Sequence, residues 1–161
     1  MVTAMSETDG QPRDGLAQLQ AMIGSGLKAP MGQTLGFELV EVERGRVVFE
    51  GQPGRSVYNP LGTVHGGYAA TLLDSACGIA THSTLEAKRG HTTLELKISY
   101  LRALTEHSGI VRATGRVVSA GRRVAFAEAE LHDGEGRLCA TATSTLLVFD
   151  VAPRGTGTLG A

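Results

Sequence analysis

Apolar residues recur every three or four positions from Leu16 through Leu19, Met22 and Ile23 to Leu27, the spacing of a short helix that docks by one face. Pro30 is expected to close it. Two β-rich runs, FELVEV from Phe37 and RVVFEG from Arg46, flank a polar Glu43-Arg44-Gly45 turn and predict a hairpin over residues 36–52. The run from His65 to Leu85 is different: 21 residues, almost all small or apolar, exceed any ordinary strand and predict a long helix buried on most sides. After the Arg89-Gly90 break, strict alternation sets Leu94, Leu96, Ile98 and Tyr100 on one face and Thr93, Glu95, Lys97 and Ser99 on the other. That strand is expected to face a core on one side. Three more strand-length segments, about 108–118, 123–132 and 137–149, are separated by Ser119-Ala-Gly-Arg122 and Asp133-Gly-Glu-Gly136 and read as an antiparallel meander. The expected class is α+β, a sheet wrapped around one long helix.

Charge changes the picture little: 15 Lys and Arg stand against 16 Asp and Glu, a net charge of −1 with no long run of either sign. A general nucleic-acid or membrane-surface binder is not expected. Cys77 and Cys139 have no partner at metal-ligand spacing, so neither a metal site nor a disulfide framework is indicated, and reduced cytoplasmic thiols fit. No stretch approaches the roughly 18 apolar residues of a membrane span, and the polar first fifteen residues do not resemble an export signal. Residues 1–14 and 151–161 lack apolar periodicity and are expected to be flexible ends around a single domain over 15–150. Glycine, at 22 of 161 residues, is about twice its usual share and implies tight turns or close backbone approaches.

The sequence holds no GxSxG, HExxH, CxxC pair or phosphate loop. What remains is Asn59-Pro-Leu-Gly-Thr-Val-His65-Gly66-Gly67 and the helix it opens. Glycines at a helix start leave N–H groups accessible at the positive end of the dipole, where an oxyanion can be held; they serve equally for a tight turn. Asp74 is the only charge inside the helix, costly to bury unless partnered. At about 100° per residue, Gly67, Ala70, Thr71, Cys77, Gly78 and Thr81 share its face, with Leu72, Ala76 and Ile79 opposite. Asp74 is either a base on a small-residue face or a carboxylate bonded to a hydroxyl or amide with no further role. Gly66 and Asp74 lie eight residues apart, roughly 12 Å along a helix, so a single site using both must draw them from two chains. An obligate dimer follows from that reading. Cys77 is a packing residue, and His82, His91, His107 and His132 form no ligand cluster.

NPLGTVHGG, the following YAATLLD, a strand ending ISYLRAL and a GRRVAF loop resemble the hotdog-fold thioesterases of the phenylacetate-degradation (PaaI) type over roughly residues 31–149. The resemblance implies a helix in a curved antiparallel sheet and a homodimer, often doubled to a homotetramer, hydrolysing an acyl-CoA thioester. By position, Asp74 matches the general base or nucleophile, the Gly66 N–H the oxyanion donor, and Asn59 and His65 the polar residues contacting the carbonyl or water from the opposite subunit. Thr93 falls where a hydroxyl meets the carboxylate. Gly67 belongs to the substrate loop, and Gly121, Arg122 and Arg123 lie where the coenzyme A nucleotide and phosphates are held; paired arginines suit phosphates, or are solvated turn charges. No metal and no cofactor is expected, coenzyme A being part of the substrate. The rival readings are a non-catalytic acyl-CoA binding module, which has no need of the base, and a hotdog hydratase or dehydratase, whose His and acid pattern is missing. The residues before the hotdog-like region are too few for a fused DNA-binding domain.

Overall fold

The computed structural model describes residues 13–151, so the expected flexible ends fall outside the described residues except for Arg13, Asp14 and Val151. Two helices, α1 (Gly15–Ser25) and α2 (Pro30–Leu35), precede β1 (Phe37–Glu43) and β2 (Arg46–Gly51). Then follow α3 (Gly66–His82), β3 (Arg89–Tyr100), β4 (Val111–Ala120), β5 (Val124–His132) and β6 (Leu138–Asp150).

Asp14, expected to be frayed, caps α1: its Oδ1 accepts the Ala17 N–H at 2.9 Å while Oδ2 meets Arg44. The helix ends on Gly26 rather than at Pro30. Gly26 has φ 68° and turns its N–H back onto the Ile23 carbonyl, a left-handed cap that glycine adopts without a side-chain clash. Pro30 instead opens α2, where its missing N–H leaves nothing unsatisfied.

All neighbouring strands are antiparallel in the order β1-β2-β4-β5-β6-β3. The hairpin and the meander stand as expected, and β3 pairs with β6 to form one edge. Helix α3 lies in the concavity, where Leu72, Leu73 and Ala76, all fully buried, pack with Val47, Val111, Leu131 and Leu146. Each buried Leu contributes about 1.5–3 kcal/mol. The close fit depends on small residues across the sheet: a Cβ on Gly115 would lie 2.2 Å from the Ala76 carbonyl oxygen.

The faces of α3 depart from the expected partition. Cys77 and Thr81 are fully buried, whereas Ile79 borders the opening with Asp74 and Gly78. The sheet curls around both flanks of the helix, so the buried sector is wider than a flat partner would make it. The Thr81 hydroxyl tolerates burial by donating to the Cys77 carbonyl at 3.0 Å.

The alternation read across β3 also fails at one point. Pairing with β6 shifts between Thr93 and Glu95, and Leu94 bulges out 59% exposed. The bulge advances the phase by one residue. Before it, His91 and Thr93 face α3; after it, Leu96 and Ile98 pack on the core. Thr93, which alternation sets opposite Leu96 and Ile98, therefore shares the inner side with them.

Candidate functional site

Asp74 projects from the open sector of α3 toward β3, and the Thr93 hydroxyl donates to its Oδ1 at 2.9 Å. One carboxylate oxygen is thus fixed by an uncharged donor. The carboxylate stands in the wall of a chamber of about 470 Å³ between α3 and the two N-terminal helices. Met22 and Ile23 of α1, Met31 of α2, and Phe37, Leu39 and Phe49 of the hairpin make most of the other walls apolar, and the Lys28–Glu38 ion pair also lines the chamber. The geometry gives a base beside an apolar recess large enough for an acyl group.

The second group of expected site residues lies elsewhere. His65 is the N-cap of α3 and its Nδ1 accepts the Gly67 N–H at 2.8 Å, which in the neutral ring puts the proton on Nε2. Gly66 holds the first helical position with its N–H bonded to no group among the described residues. Its carbonyl accepts the Tyr100 hydroxyl at 3.0 Å. The Asn59 side chain is engaged in its own loop, Oδ1 accepting the N–H groups of Leu61 and Thr63 and Nδ2 donating to the Thr63 hydroxyl. That bonding shapes the approach to α3. His65 and Gly66 border a separate recess with Tyr100 and Leu104, which contains neither Asp74 nor Thr93. Within one chain the structure brings Asp74 to Thr93 and His65 to Gly67, but does not bring the two pairs together.

Gly121, Arg122 and Arg123 form the exposed β4–β5 turn, closed by the Gly121 N–H on the Val124 carbonyl at 2.8 Å. Arg89 at the start of β3 donates to the Arg122 carbonyl, tying the turn to the strand that carries Thr93. Neither arginine lines the chamber. Cys77 is fully buried, and burial first, then the charges of Asp74 and Glu128, push its thiol up to about 12. No thiolate is available there near neutral pH.

Spacing along the chain did not disclose the histidines. His82 at the end of α3 and His91 on β3, nine residues apart with a turn between them, meet with ring centroids 5.6 Å apart, and both line the chamber with Gln18. The signal that could have found them is the glycine at 78, one turn beyond Asp74, which leaves room for a ring from the facing strand. Among the described residues no three His, Cys, Asp or Glu side chains are gathered as metal ligands, and no helix is long and apolar enough to cross a membrane.

The family model of the thioesterase superfamily matches residues 61–140. A 1,4-dihydroxy-2-naphthoyl-CoA hydrolase of Listeria monocytogenes is 27% identical over 116 residues, 72% of this chain and 93% of the relative. The medium/long-chain acyl-CoA thioesterase YigI of Escherichia coli is 30% identical over 136 residues, 74% of this chain and 85% of its own length. Among solved structures, a hypothetical thioesterase protein from Streptococcus pneumoniae with coenzyme A superposes with a TM-score of 0.66 at 28% identity, over 73% of this chain and 92% of that one. The curved antiparallel sheet around α3 is the hotdog fold, as the resemblance in sequence implied.

Proposed function

The chain belongs to the thioesterase superfamily, and from that membership we propose that it hydrolyses acyl-CoA thioesters as a PaaI-type enzyme with Asp74 as its base. The observation that carries this reading is the Asp74 carboxylate, held by Thr93 at the mouth of an apolar chamber. The relatives named for acyl-CoA hydrolysis and the neighbour with coenzyme A support the substrate class.

In the proposed reaction Asp74 takes a proton from water, and the hydroxide attacks the thioester carbonyl carbon. The negative charge that develops on the carbonyl oxygen is met by a Gly66 N–H, strengthened by the α3 dipole. The C–S bond then breaks and the thiolate of coenzyme A leaves with the proton, yielding a carboxylic acid and free thiol. A nucleophilic Asp74 would give the same products through an anhydride that water opens. Because Gly66 and Asp74 of one chain line different recesses, the oxyanion donor is assigned to a second copy, in a dimer with two shared sites. His65 orients the carbonyl or the water from that side, Asn59 shapes the loop that presents it, and Gly67 lets the substrate approach. Gly121, Arg122 and Arg123 are assigned to the coenzyme phosphates.

Release of free thiol from a panel of aryl and aliphatic acyl-CoAs, compared between the native protein and Asp74→Asn, tests the reading. Turnover in the native protein, reduced at least 100-fold in a folded Asn variant, is the expected result. Turnover that survives the substitution would remove Asp74 from the chemistry. Binding of acyl-CoA without turnover would make the protein a binding module.

A further inference from the structure

The bulge in β3 works against burial. A regular ladder counted back from Leu96 would turn Leu94 inward and Thr93 outward, and an inward Leu94 would gain the burial it forgoes at 59% exposed. The partner strand supplies what holds the bulge in place. Ser144 of β6 pairs with Leu96, shares the inner face with Ala142 and Leu146, and is 3% exposed. Its hydroxyl donates to the Glu95 carbonyl at 2.9 Å, at the residue where pairing resumes after the bulge. On the outer side the Thr145 hydroxyl donates to Glu95 Oε2 at 3.2 Å. Of the buried Ser and Thr side chains among the described residues, Thr81 and Ser83 donate back into α3, and only Ser144 donates to another element.

A buried hydroxyl left without an acceptor costs more than a made bond returns, so Ser144 favours the backbone that brings it a carbonyl. The bulged strand does so at Glu95. We propose that Ser144 is a positioning residue, its hydroxyl pinning the bulge and so deciding that Thr93, not Leu94, faces Asp74. Ser144 does not line the chamber and hydrogen-bonds to none of the site residues, so it acts through the phase of β3. With alanine at 144 the pin is gone and the ladder is free to become regular upstream of Glu95. Leu94 then takes the inner place, and the Thr93 hydroxyl leaves the Asp74 carboxylate. The kinetic consequence rests on the thioesterase reading above; the structural one does not.

Crystal structures of Ser144→Ala, and of Ser144→Thr, which keeps a hydroxyl, read the phase of β3 directly. The distance from Thr93 Oγ1 to Asp74 Oδ1, 2.9 Å in the native chain, is expected to exceed about 3.5 Å in Ser144→Ala and to return in Ser144→Thr. A bulge and a Thr93–Asp74 contact that Ser144→Ala leaves intact would overturn the inference. Acyl-CoA hydrolysis supplies the second readout. Ser144→Ala should lower kcat about 3- to 10-fold with KM little changed, and Ser144→Thr should recover most of the loss. Added to Thr93→Val, Ser144→Ala should lower kcat no further, because the hydroxyl it positions is already gone. The full loss repeated in that background would also overturn the inference, since Ser144 would then act other than through Thr93. A displaced Thr93 in a protein that hydrolyses no acyl-CoA would sustain the inference while removing the hydrolase reading. Turnover with the contact undisturbed in Ser144→Ala would do the reverse.

Discussion

Thr93 governs how the Asp74 carboxylate is presented, because its hydroxyl binds one oxygen and leaves the other to the chamber. A hydrogen bond to a charged group contributes about 1.5–3 kcal/mol, so Thr93→Val is expected to lower kcat by roughly 10- to 100-fold, and Thr93→Ser, which keeps the hydroxyl, to lower it far less. Equal losses in the two variants would make Thr93 a packing residue. The histidine pair makes a separate prediction about stability. Burial holds both His82 and His91 below the ordinary histidine value of 6.5, His91 at about 4, so the unfolded chain binds more protons than the folded one in between. Their contribution is complete above 6.5 and is lost as the pH falls toward 4, by up to about 3 kcal/mol for His91. Urea unfolding at pH 7.5 and 4.5 checks this, with a smaller acid loss expected in His91→Phe. Parallel losses in both proteins would exclude His91 as its source. Asp74 was legible in the sequence as the one charge in a run of small and apolar residues, and Thr93 only through the family resemblance. His91 was not, since its importance comes from the ring it meets across the fold rather than from its neighbours along the chain.

The elements were largely legible because their periods are strong. The small-residue run of α3 could be nothing but a long helix, and the glycine-rich turns marked the meander. The end of α1 was misplaced because Gly26 caps it locally, whereas two other departures share an origin in tertiary context. Helical phase alone divides α3 into halves, but a sheet that curls around both flanks also buries Cys77 and Thr81. Alternation alone cannot show a bulge, which leaves Leu94 outside and brings Thr93 in. The closeness of α3 to β4 is testable: Gly115→Ala places a methyl against the Ala76 backbone and should cost about 1–3 kcal/mol in thermal or urea unfolding. An unchanged midpoint would mean that the helix moves aside freely. Helix α1 roofs the chamber through Met22 and Ile23. Ile23→Trp should therefore lower kcat/KM for long acyl groups at least tenfold relative to acetyl-CoA. A uniform change along a chain-length series would place the acyl group elsewhere.

At the scale of the whole molecule, β3 leaves one backbone edge of the sheet unpaired, with Leu94, Tyr100 and Leu101 all more than half exposed nearby. An edge of that length and character is suited to pairing with another copy. The division of the proposed machinery between two recesses gives a sharper test than a mass measurement. Asp74→Asn and Gly66→Pro variants should each be nearly inactive, yet unfolding and refolding them together should restore about a quarter of native activity. Half of the random dimers would be mixed, each with one of its two sites intact. No recovery from a mixture that light scattering shows to be dimeric would place both groups in one chain's site.

The bulge in β3 also acts as a phase break between two sets of selective demands. Upstream of Leu94, His91 and Thr93 answer to whatever occupies the chamber; downstream, Leu96 and Ile98 answer to the core. The extra residue re-aims the strand, so each half turns its own set of side chains inward while both halves stay paired to β6. Libraries at residue 91 that keep Thr93 are therefore expected to change the wall of the chamber while leaving both the Asp74 hydrogen bond and the packing below untouched.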